Sequence, residues 1–351
     1  MNLALIGTGS MAHAHARQFG ALPDCRLYAA VDVDLDTAQA FADAYGIPHA
    51  STDTEAVLSD PTVDAVAVVT PDAFHKPISL AAFDAGKHVF CEKPLALTYP
   101  DAAEMAAAAE RSGKVHAVNL TYRRSSALQR AAEMVRAGTL GTIRHFEARY
   151  LQSWATTTIW GDWRTEPLWL WRMSTAHGSV GVLGDIGVHI LDFASFVVGS
   201  FDEVACRLKT FEKVPGNTIG EYTLDANDSA FVMASTVDGA EGVVHMSRHA
   251  TGHANSLTLS VHGTEGALRL NLDTSYHLLE TCLGDAALGP TWTPVLCTPT
   301  PTNQVRFIDA IRAGTPAEPD FHRGAEVQRV LDACLASNAD GRRVRVDSVS
   351  A

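Results

Sequence analysis

The chain has 351 residues, of which 46% are apolar and 19% charged, and its formal net charge is −13 at pH 7. This length favours two domains with well-formed cores, and the composition is typical of a globular protein. The acidic balance, with no basic stripe, argues against binding to nucleic acid, and no apolar run of about 18 residues is present to span a membrane.

The first residues predict a strand rather than a targeting segment. Met1–Gly7 lacks the basic start and the long apolar centre of a signal peptide, and it leads directly into a turn. The six cysteines are scattered and form no C-x-x-C pair. That pattern favours reduced thiols and argues against a structural zinc. We therefore expect a cytoplasmic protein without a metal site.

The first third of the chain alternates between apolar strands and alanine-rich helices. The predicted strands are Asn2–Ile6, Arg26–Val31, Val63–Val69, His88–Cys91 and Val115–Asn119, and the predicted helices include Leu35–Tyr45, His75–Ala85 and Tyr99–Arg111. Near-continuous apolar strands are typical of a parallel sheet covered on both faces. The alternation predicts an α/β domain with a doubly wound parallel sheet over residues 1–121.

The remaining residues, 122–351, predict a second domain of α+β type. After a helix at Ser126–Ala137, alternating or β-branched stretches predict strands at Thr142–Leu151, Glu203–Phe211, Ser229–Val237, Glu241–Arg248, Leu257–His262 and Ala267–Leu272. Turn residues between them favour one large, open, mostly antiparallel sheet. Helices are predicted at Asp185–Val198, Gln304–Ala313 and Arg323–Asn338, the last two able to pack back on the first domain.

A G-x-G-x-x-A motif, Gly7-Thr-Gly9-Ser10-Met11-Ala12, follows the first strand and precedes a helix. The first glycine permits the tight turn, and the second lets the backbone approach a pyrophosphate. The third small residue lets the helix pack closely, and the helix N-terminus offers amide donors to phosphate.

Asp32 ends the second predicted strand, at the position of the acid that binds the ribose hydroxyls of NAD. The charges of Asp32 and Asp34 repel a 2′-phosphate, and Val33 between them offers it no basic partner, so NAD is favoured over NADP. The alternative for Asp32 is a helix N-cap or a turn residue. His13 and His15, in the first helix, are expected at the surface.

Two further motifs follow. The first consists of Val63–His75 and, after nine more residues, Ala85–Ala96 with the tripeptide Glu92-Lys93-Pro94, and the second is Gly184-Asp-Ile-Gly-Val-His-Ile-Leu-Asp192. On these the chain resembles the glucose–fructose oxidoreductase / inositol dehydrogenase / MocA family over nearly its whole length. The resemblance implies a Rossmann domain followed by an α+β domain that forms a homodimer or homotetramer through its sheet.

The resemblance also implies an activity, reversible hydride transfer between a nicotinamide and a sugar, polyol or related carbinol. Asn119–Ser125, Tyr150–Trp154 and Trp171-Arg172 are similar to the branch that oxidises a ring secondary alcohol of sugars and glycosides, often at C3. One alternative is an enzyme that uses tightly bound NAD transiently, as a lyase, a glycosidase or an aldose–aldose oxidoreductase. Another is a non-catalytic nucleotide-binding sensor.

Three residues of these motifs suit the oxidation of a secondary alcohol. His189 is the candidate base, because the pKa of an imidazole ordinarily lies near neutrality. Asp185, four residues earlier and on the same face of a helix, could orient it or hold a substrate hydroxyl. Lys93 can stabilise negative charge on the carbinol oxygen and relay a proton. Their alternatives are a helix cap for Asp185, a core histidine for His189 and a solvated loop residue for Lys93.

Other residues are expected to line the cofactor or the substrate. Thr70, Pro71 and His75 match the family's T-P-x-x-x-H beside the cofactor, although His75 could simply start a helix. Glu92 belongs with the cofactor residues. The substrate candidates besides Lys93, Asp185 and His189 are Tyr122, Arg123, Trp154 and Arg172. Arg123 could instead be structural, and for Asp192 a structural hydrogen bond is favoured.

Five of the six tryptophans lie between Trp154 and Trp171. The two ends of this segment are expected to contact a sugar, because an aromatic face suits the apolar face of a pyranose. Its middle, with Trp160, Trp163 and Trp169, departs from the family pattern. It is expected to set specificity or assembly, with core packing as the alternative.

Overall fold

A computed structural model of the chain describes residues 1–289 and 291–351, and for residues 167 and 168 it describes the backbone alone. In chain order, the α-helices are α1 Ser10–Gly20, α2 Leu35–Tyr45, α3 Thr54–Ser59, α4 His75–Asp84, α5 Tyr99–Ser112, α6 Ser126–Arg136, α7 Pro167–Leu170, α8 Val188–Val198, α9 Asn303–Ala313 and α10 Phe321–Asp340.

The strands, numbered in the same way, are β1 Asn2–Ile6, β2 Arg26–Val31, β3 His49–Ser51, β4 Ala65–Val68, β5 His88–Cys91, β6 His116–Val118, β7 Ile143–Leu151, β8 Phe201–Lys209, β9 Thr218–Ile219, β10 Tyr222–Thr223, β11 Ser229–Thr236, β12 Glu241–Ser247, β13 Ser256–Gly263, β14 Gly266–Asn271, β15 Leu278–Leu283, β16 Thr293–Leu296 and β17 Val344–Arg345. None of the helices in the described part of the chain has the length and apolar content needed to cross a bilayer.

The described residues form two compact units. The first comprises residues 1–121, 301–328 and 350–351, and the second comprises residues 122–300 and 329–349. Six strands of the first unit form a parallel sheet in the order β3-β2-β1-β4-β5-β6. The predicted doubly wound parallel sheet is confirmed, and β1 and β4 at its centre are almost entirely buried.

The core of the first unit includes residues from both ends of the chain. Phe19 of α1 and Phe90 of β5 meet edge to face, with ring centroids 5.3 Å apart. Phe307 of α9 packs against both rings, at 6.5 Å and 5.5 Å. Burying apolar surface of this size is the main force that holds α9 to the sheet.

The second unit contains a nine-stranded sheet in the order β16-β15-β14-β13-β7-β12-β11-β8-β17. Its neighbouring strands are antiparallel except β12 and β7, which run parallel. The predicted large, mostly antiparallel sheet is therefore confirmed. The buried helix α8 packs against β7, β12 and β13, which fixes the motif Gly184–Asp192 against the centre of the sheet.

Candidate functional site

The glycine loop of the first unit has the geometry of a pyrophosphate site. Gly7 has φ +92°, and a Cβ there would lie 2.6 Å from the carbonyl oxygen of Val69, so only glycine fits. Gly9 is the N-cap of α1, and a Cβ there would meet nothing within 4 Å. Ser10 and Met11 are exposed in the first turn and Ala12 is buried against the sheet. Open space in front of a helix N-terminus suits the diphosphate of a dinucleotide.

Asp32 follows β2 directly and is tied to the glycine loop. Its Oδ2 accepts hydrogen bonds from the amide of Thr8 at 2.8 Å and from the Thr8 hydroxyl at 2.7 Å. Burial opposes ionisation, but these bonds outweigh it and hold the pKa of Asp32 below its usual value. The N-cap of α2 is Asp34, which accepts from the amide of Thr37. The alternative that Asp32 is a helix cap is therefore wrong.

His75 connects two loops at the carboxyl edge of the parallel sheet. It begins α4 and is fully buried, so its ring is packed within the first unit. Nδ1 lies 2.8 Å from the carbonyl oxygen of Pro94, and Nε2 lies 3.0 Å from that of Thr70. His75 therefore fixes the loop after β4, which includes Thr70 and Pro71, to the loop after β5. This contact pattern is that of a residue supporting the two loops.

Glu92 and Lys93 follow β5 directly, beside a buried polar network. Glu92 Oε1 lies 2.7 Å from His15 Nε2 and accepts from Asn119 Nδ2 at 2.7 Å. Its Oε2 accepts from the backbone amide of Lys93 at 3.0 Å. The Lys93-Pro94 peptide is cis.

His15 is 1% exposed, so its predicted surface position is wrong. Its Nδ1 lies 3.2 Å from Gln304 Nε2 of α9, and its Nε2 lies 2.7 Å from Glu92 Oε1. Burial opposes ionisation of Glu92, but the bonds from His15 and Asn119 and the charge of Lys93 lower the pKa of Glu92 to about 2. The carboxylate is an anion that holds the Lys93 loop in place. His13 is half-buried against Tyr45.

In the second unit, Asp185 and His189 do not lie on one regular helix. Asp185 is part of a π-helical turn, Leu183–Gly187, and α8 begins at Val188 with Gly187 as its N-cap. The predicted helix Asp185–Val198 is therefore wrong over its first turn, which is π-helical and not α-helical, and the alternative that Asp185 caps the helix is also wrong. Single π turns inside helices are frequent at functional sites. Asp185 Oδ2 accepts a hydrogen bond from Arg248 Nη2 at 2.9 Å.

His189 is 9% exposed and faces two tyrosines. The ring of Tyr122 meets it edge on, with centroids 5.1 Å apart, and the ring of Tyr150 lies at 6.4 Å. The two phenol oxygens are 2.6 Å apart. Burial raises the pKa of Tyr122 to about 12 and that of Tyr150 well above its usual value. Both phenols are therefore neutral hydrogen-bonding groups at physiological pH.

The tyrosines belong to a closed hydrogen-bond ring with Asn255, a residue to which the sequence assigned no role. Tyr150 donates to Asn255 Oδ1 at 2.6 Å, and Asn255 Nδ2 donates to Tyr122 at 2.9 Å. Gln152 Nε2 donates to Asn255 Oδ1 at 2.8 Å, and Trp154 Nε1 donates to Gln152 Oε1 at 3.0 Å. Asn255 is an exposed residue, whereas the two tyrosines, Gln152 and Trp154 are buried.

Arg123 and Asp192 form a buried bidentate ion pair. Arg123 Nε donates to Asp192 Oδ2 at 2.7 Å and Nη2 to Oδ1 at 2.6 Å, and both side chains are 4% exposed. The guanidinium also stacks on Phe196, 3.6 Å from the ring centroid. The geometry favours the structural alternative for Arg123 over substrate binding, and it matches the structural hydrogen bond expected for Asp192.

The tryptophan segment forms a small apolar core of its own. Trp154, Trp163, Leu170, Met173 and Leu224 pack together, with Trp163 1% exposed and its Nε1 donating to Ala155 O at 3.1 Å. Core packing thus accounts for Trp163. Trp160 is 37% exposed and stacks on Trp169 at 6.3 Å. The Arg172 guanidinium lies over Trp171 at 4.4 Å.

Across residues 1–289 and 291–351, no three His, Cys, Asp or Glu side chains are grouped closely enough to hold a metal ion. All six cysteines are free thiols.

Comparison with known proteins matches both units to one family. The model described as the oxidoreductase family with an NAD-binding Rossmann fold (GFO_IDH_MocA) matches residues 1–120, and the GFO/IDH/MocA C-terminal domain matches residues 128–269.

Individual relatives include levoglucosan dehydrogenase of Pseudarthrobacter phenanthrenivorans, 29% identical over 100% of this chain and 99% of that protein. A structure of levoglucosan dehydrogenase in complex with NADH and L-sorbose superposes with a TM-score of 0.87, covering 99% and 98% of the two chains at 29% identity. An oxidoreductase domain protein from Kribbella flavida is 31% identical, with a TM-score of 0.86 over 98% of both chains. D-glucoside 3-dehydrogenase of Escherichia coli is 35% identical over 61% of this chain and 58% of that protein.

Proposed function

Because the chain belongs to the GFO/IDH/MocA oxidoreductase family, we propose that it transfers hydride between NAD and a secondary alcohol of a sugar or glycoside. The observation that carries this proposal is the glycine loop of the first unit, which Asp32 holds through the amide of Thr8. The chain that contains this loop aligns over its whole length with levoglucosan dehydrogenase. The substrates named for the relatives, levoglucosan and D-glucosides, make a cyclic sugar the preferred substrate class.

Residues of the chain are proposed to move the proton, stabilise charge and hold the substrate. The nicotinamide supplies the hydride chemistry when bound. His189 takes the proton of the reacting hydroxyl, and Lys93 stabilises the charge that develops on the carbinol oxygen. Asp185 holds the imidazole or a neighbouring hydroxyl. Trp154 and Arg172 contribute to the sugar site, together with Asn255, whose Nδ2 donates to the Tyr122 hydroxyl.

The acidic edge near the ribose position favours NAD over NADP. Asp32, Asp34 and Asp36 follow β2 within five residues, and Val33 between the first two is 97% exposed and uncharged. Three carboxylates repel a 2′-phosphate, and no neighbouring arginine in this stretch offers it a partner.

The function is tested by adding NAD and a panel of pyranosides, anhydrosugars and inositols and following the absorbance of reduced nicotinamide. Turnover is expected with at least one cyclic sugar. Lys93→Ala and His189→Ala should each lower kcat/KM by about 100-fold or more, because positioned acid–base groups contribute on this scale. Binding of NAD, measured by calorimetry, should remain in both variants. Lys209→Ala, an exposed lysine of β8, is the matched control.

Two results would contradict the proposal. Unchanged turnover in both variants would remove the assigned roles. An enzyme purified with NAD that never exchanges with free NAD would instead favour transient use of a bound cofactor, the alternative that the sequence left open. That outcome would fit the similarity to an aldose–aldose oxidoreductase of Caulobacter crescentus, 26% identical with a TM-score of 0.81.

The outer face of the nine-stranded sheet suits a contact with a second copy of the chain. Phe231 and Met233 of β11 and Val243 of β12 are 51%, 59% and 39% exposed. They line an open groove of about 930 Å³ with Arg207 and His245. Contiguous exposed apolar surface of this kind is typical of subunit interfaces. The assembly expected is a homodimer, or a homotetramer built from it.

A further inference from the structure

Arg248 follows β12 and is almost entirely buried. It is 1% exposed, although a guanidinium out of water is costly unless its donors are satisfied. Nη1 donates to the carbonyl oxygen of Arg172 at 3.0 Å, and Nη2 donates to Asp185 Oδ2 at 2.9 Å. Arg248 thus binds two segments that contain predicted site residues, the turn with Arg172 and the π turn with Asp185.

The ion pair of Arg248 is asymmetric in burial. The Asp185 side chain is 24% exposed, whereas the guanidinium beneath it is hidden. A carboxylate in contact with a buried guanidinium is strongly favoured as the anion. One oxygen is aimed inward by the hydrogen bond to Nη2, which also sets the orientation of the other. The pair therefore fixes both the charge and the direction of Asp185.

The same guanidinium also contacts Trp154, one of the predicted substrate-binding residues. Its Cζ lies 5.0 Å from the centroid of the Trp154 ring, within the range of a cation–π contact. Trp154 in turn donates to Gln152 of the hydrogen-bond ring that contains Tyr150. Arg248 thus contacts both Asp185 and Trp154.

We propose that Arg248 is a positioning residue of the reaction, which keeps Asp185 ionised and correctly aimed while it braces Trp154. The inference rests on the proposed function. Asp185 then acts as an acceptor, towards the His189 imidazole or a substrate hydroxyl, and does not supply the proton that the reaction moves.

Other charges around Arg248 complete its environment. The charge of Arg172 opposes that of Arg248, and the carboxylate of Asp228 favours it. Separately, the backbone amide of Arg248 donates to the carbonyl oxygen of Asp228 at 3.0 Å. Asp228 is neutralised by Lys213 at 2.7 Å, with both side chains fully buried, and His249 Nε2 lies 3.7 Å from it. Tyr150 faces Asp185 as a neutral phenol. Burial lowers the pKa of Arg248, yet a guanidinium starts far enough above neutrality to stay charged.

The test compares Arg248→Gln, which removes the charge, with Arg248→Lys, which keeps it. Without its cationic partner the pKa of Asp185 rises, so the carboxylate protonates at a higher pH. His189 is the proposed base, so the acidic limb of kcat/KM reports its imidazole, and loss of the neighbouring guanidinium cation should let that imidazole keep its proton to a higher pH. In Arg248→Gln the limb should therefore move up by about one pH unit or more, and the loss of a correctly aimed Asp185 should lower kcat/KM by about tenfold or more at neutral pH. Arg248→Lys should return the limb to the wild-type position. Arg269→Gln, which removes an exposed pair with Glu280, is the matched control and should behave as wild type.

A second readout does not depend on turnover. The carboxyl carbon of Asp185 is titrated by NMR in wild type and in the two Arg248 variants, with Asp185→Asn used for assignment. An upward shift in Arg248→Gln that is reversed in Arg248→Lys is the expected result. An unshifted titration of Asp185, with an unshifted acidic limb, overturns the inference even if the enzyme oxidises sugars. Absence of sugar oxidation by the wild type overturns the proposed function while the titration still decides the role of Arg248.

Discussion

Glu92 is a carboxylate that is ionised although it is buried. A charged group loses its hydration on burial, so the folded chain must supply other partners. Three hydrogen-bond donors do so: His15 Nε2, Asn119 Nδ2 and the amide of Lys93. The last of these lies next to the proposed catalytic ammonium. The anion therefore fixes the backbone from which the Lys93 side chain extends, and the position of that side chain depends on a charge the substrate need not touch.

Glu92 is expected to make the stability of the protein depend on pH. Its pKa is about 2 in the folded chain against an ordinary value of 4.5, so the stabilisation is complete above about pH 5 and is lost as the pH falls towards 2. The full difference corresponds to about 3 kcal/mol. Glu92→Gln should lower the free energy of unfolding in urea by an amount of this order at pH 7, and by about 1–2 kcal/mol less at pH 3.5.

The matched control for this experiment is Glu280→Gln, because Glu280 has an arginine partner but is exposed. Its free energy of unfolding should stay close to that of wild type at both pH values. A cost of Glu92→Gln that is the same at pH 7 and pH 3.5 would mean that the loss is one of packing and hydrogen-bond geometry. The ionised state of Glu92 would then not be what stabilises the fold.

Sequence reasoning finds site residues that belong to a local motif and misses those that meet only in space. Gly7, Gly9 and Asp32 could be recognised because a strand, a turn and a helix follow each other in a fixed order. Arg248 approaches Asp185 across 63 residues, and Gln304 approaches His15 across 289. No periodicity connects such pairs. The burial of His15 was not predictable from the local sequence, because its buried partner, Glu92, lies 77 residues away.

At the scale of elements, the strands β7, β8 and β11 to β14 of the second sheet were predicted, but its strands β15, β16 and β17 were missed, and the neighbours of each strand were not predictable. Side-chain alternation predicted β7, β11 and β12 within two residues of their bounds. The parallel pairing of β12 with β7 inside a mainly antiparallel sheet depends on a long connection, which alternation does not encode. The π turn at Leu183–Gly187 was missed for a related reason, since it continues the helical pattern of α8 with one wider turn.

Two indoles of the tryptophan segment are predicted to differ in their contribution to stability, the buried ring of Trp163 and the peripheral ring of Trp160. Trp163→Ala should lower the free energy of unfolding by about 3–5 kcal/mol, because it empties a buried site lined by Leu170 and Met173. Trp160→Ala should cost about 1 kcal/mol, since that ring is 37% exposed and loses mainly its stacking on Trp169. Chemical unfolding monitored by circular dichroism measures both values.

Trp160→Ala also separates the two roles left open for the middle of the segment. A changed ratio of kcat/KM between two sugars would assign the exposed ring to specificity, and a changed mass in solution would assign it to assembly. Equal destabilisation by Trp160→Ala and Trp163→Ala would contradict the division between a buried and a peripheral ring. Unchanged sugar preference and mass would leave core packing as the account of the whole segment.

At the scale of the whole molecule, the outer face of the nine-stranded sheet carries the prediction about assembly. Met233→Lys together with Phe231→Lys places two charges where a second copy is expected to pack. The multimer should dissociate to monomers in light-scattering measurements on a sizing column, because a buried unpaired charge is costly. Leu296→Lys is the control, since Leu296 is 81% exposed on β16 at the opposite edge of the same sheet.

Two outcomes would contradict that prediction. A wild-type protein that is monomeric at all concentrations tested would exclude the homodimer. A multimer that survives both charges unchanged would place the subunit contact on another surface. In either case the hydride-transfer proposal stands, because Lys93, Asp185 and His189 lie within a single chain.

The packing of α9 in the first unit has a consequence for biosynthesis. Phe307 covers Phe19 and Phe90, and Gln304 completes the hydrogen bonds of His15, although these partners are almost 300 positions apart in some cases. On the ribosome, the residues that start the parallel sheet emerge first and their last partners emerge near the end. The nucleotide-binding unit is therefore begun early in translation but finished only after most of the second unit has been made.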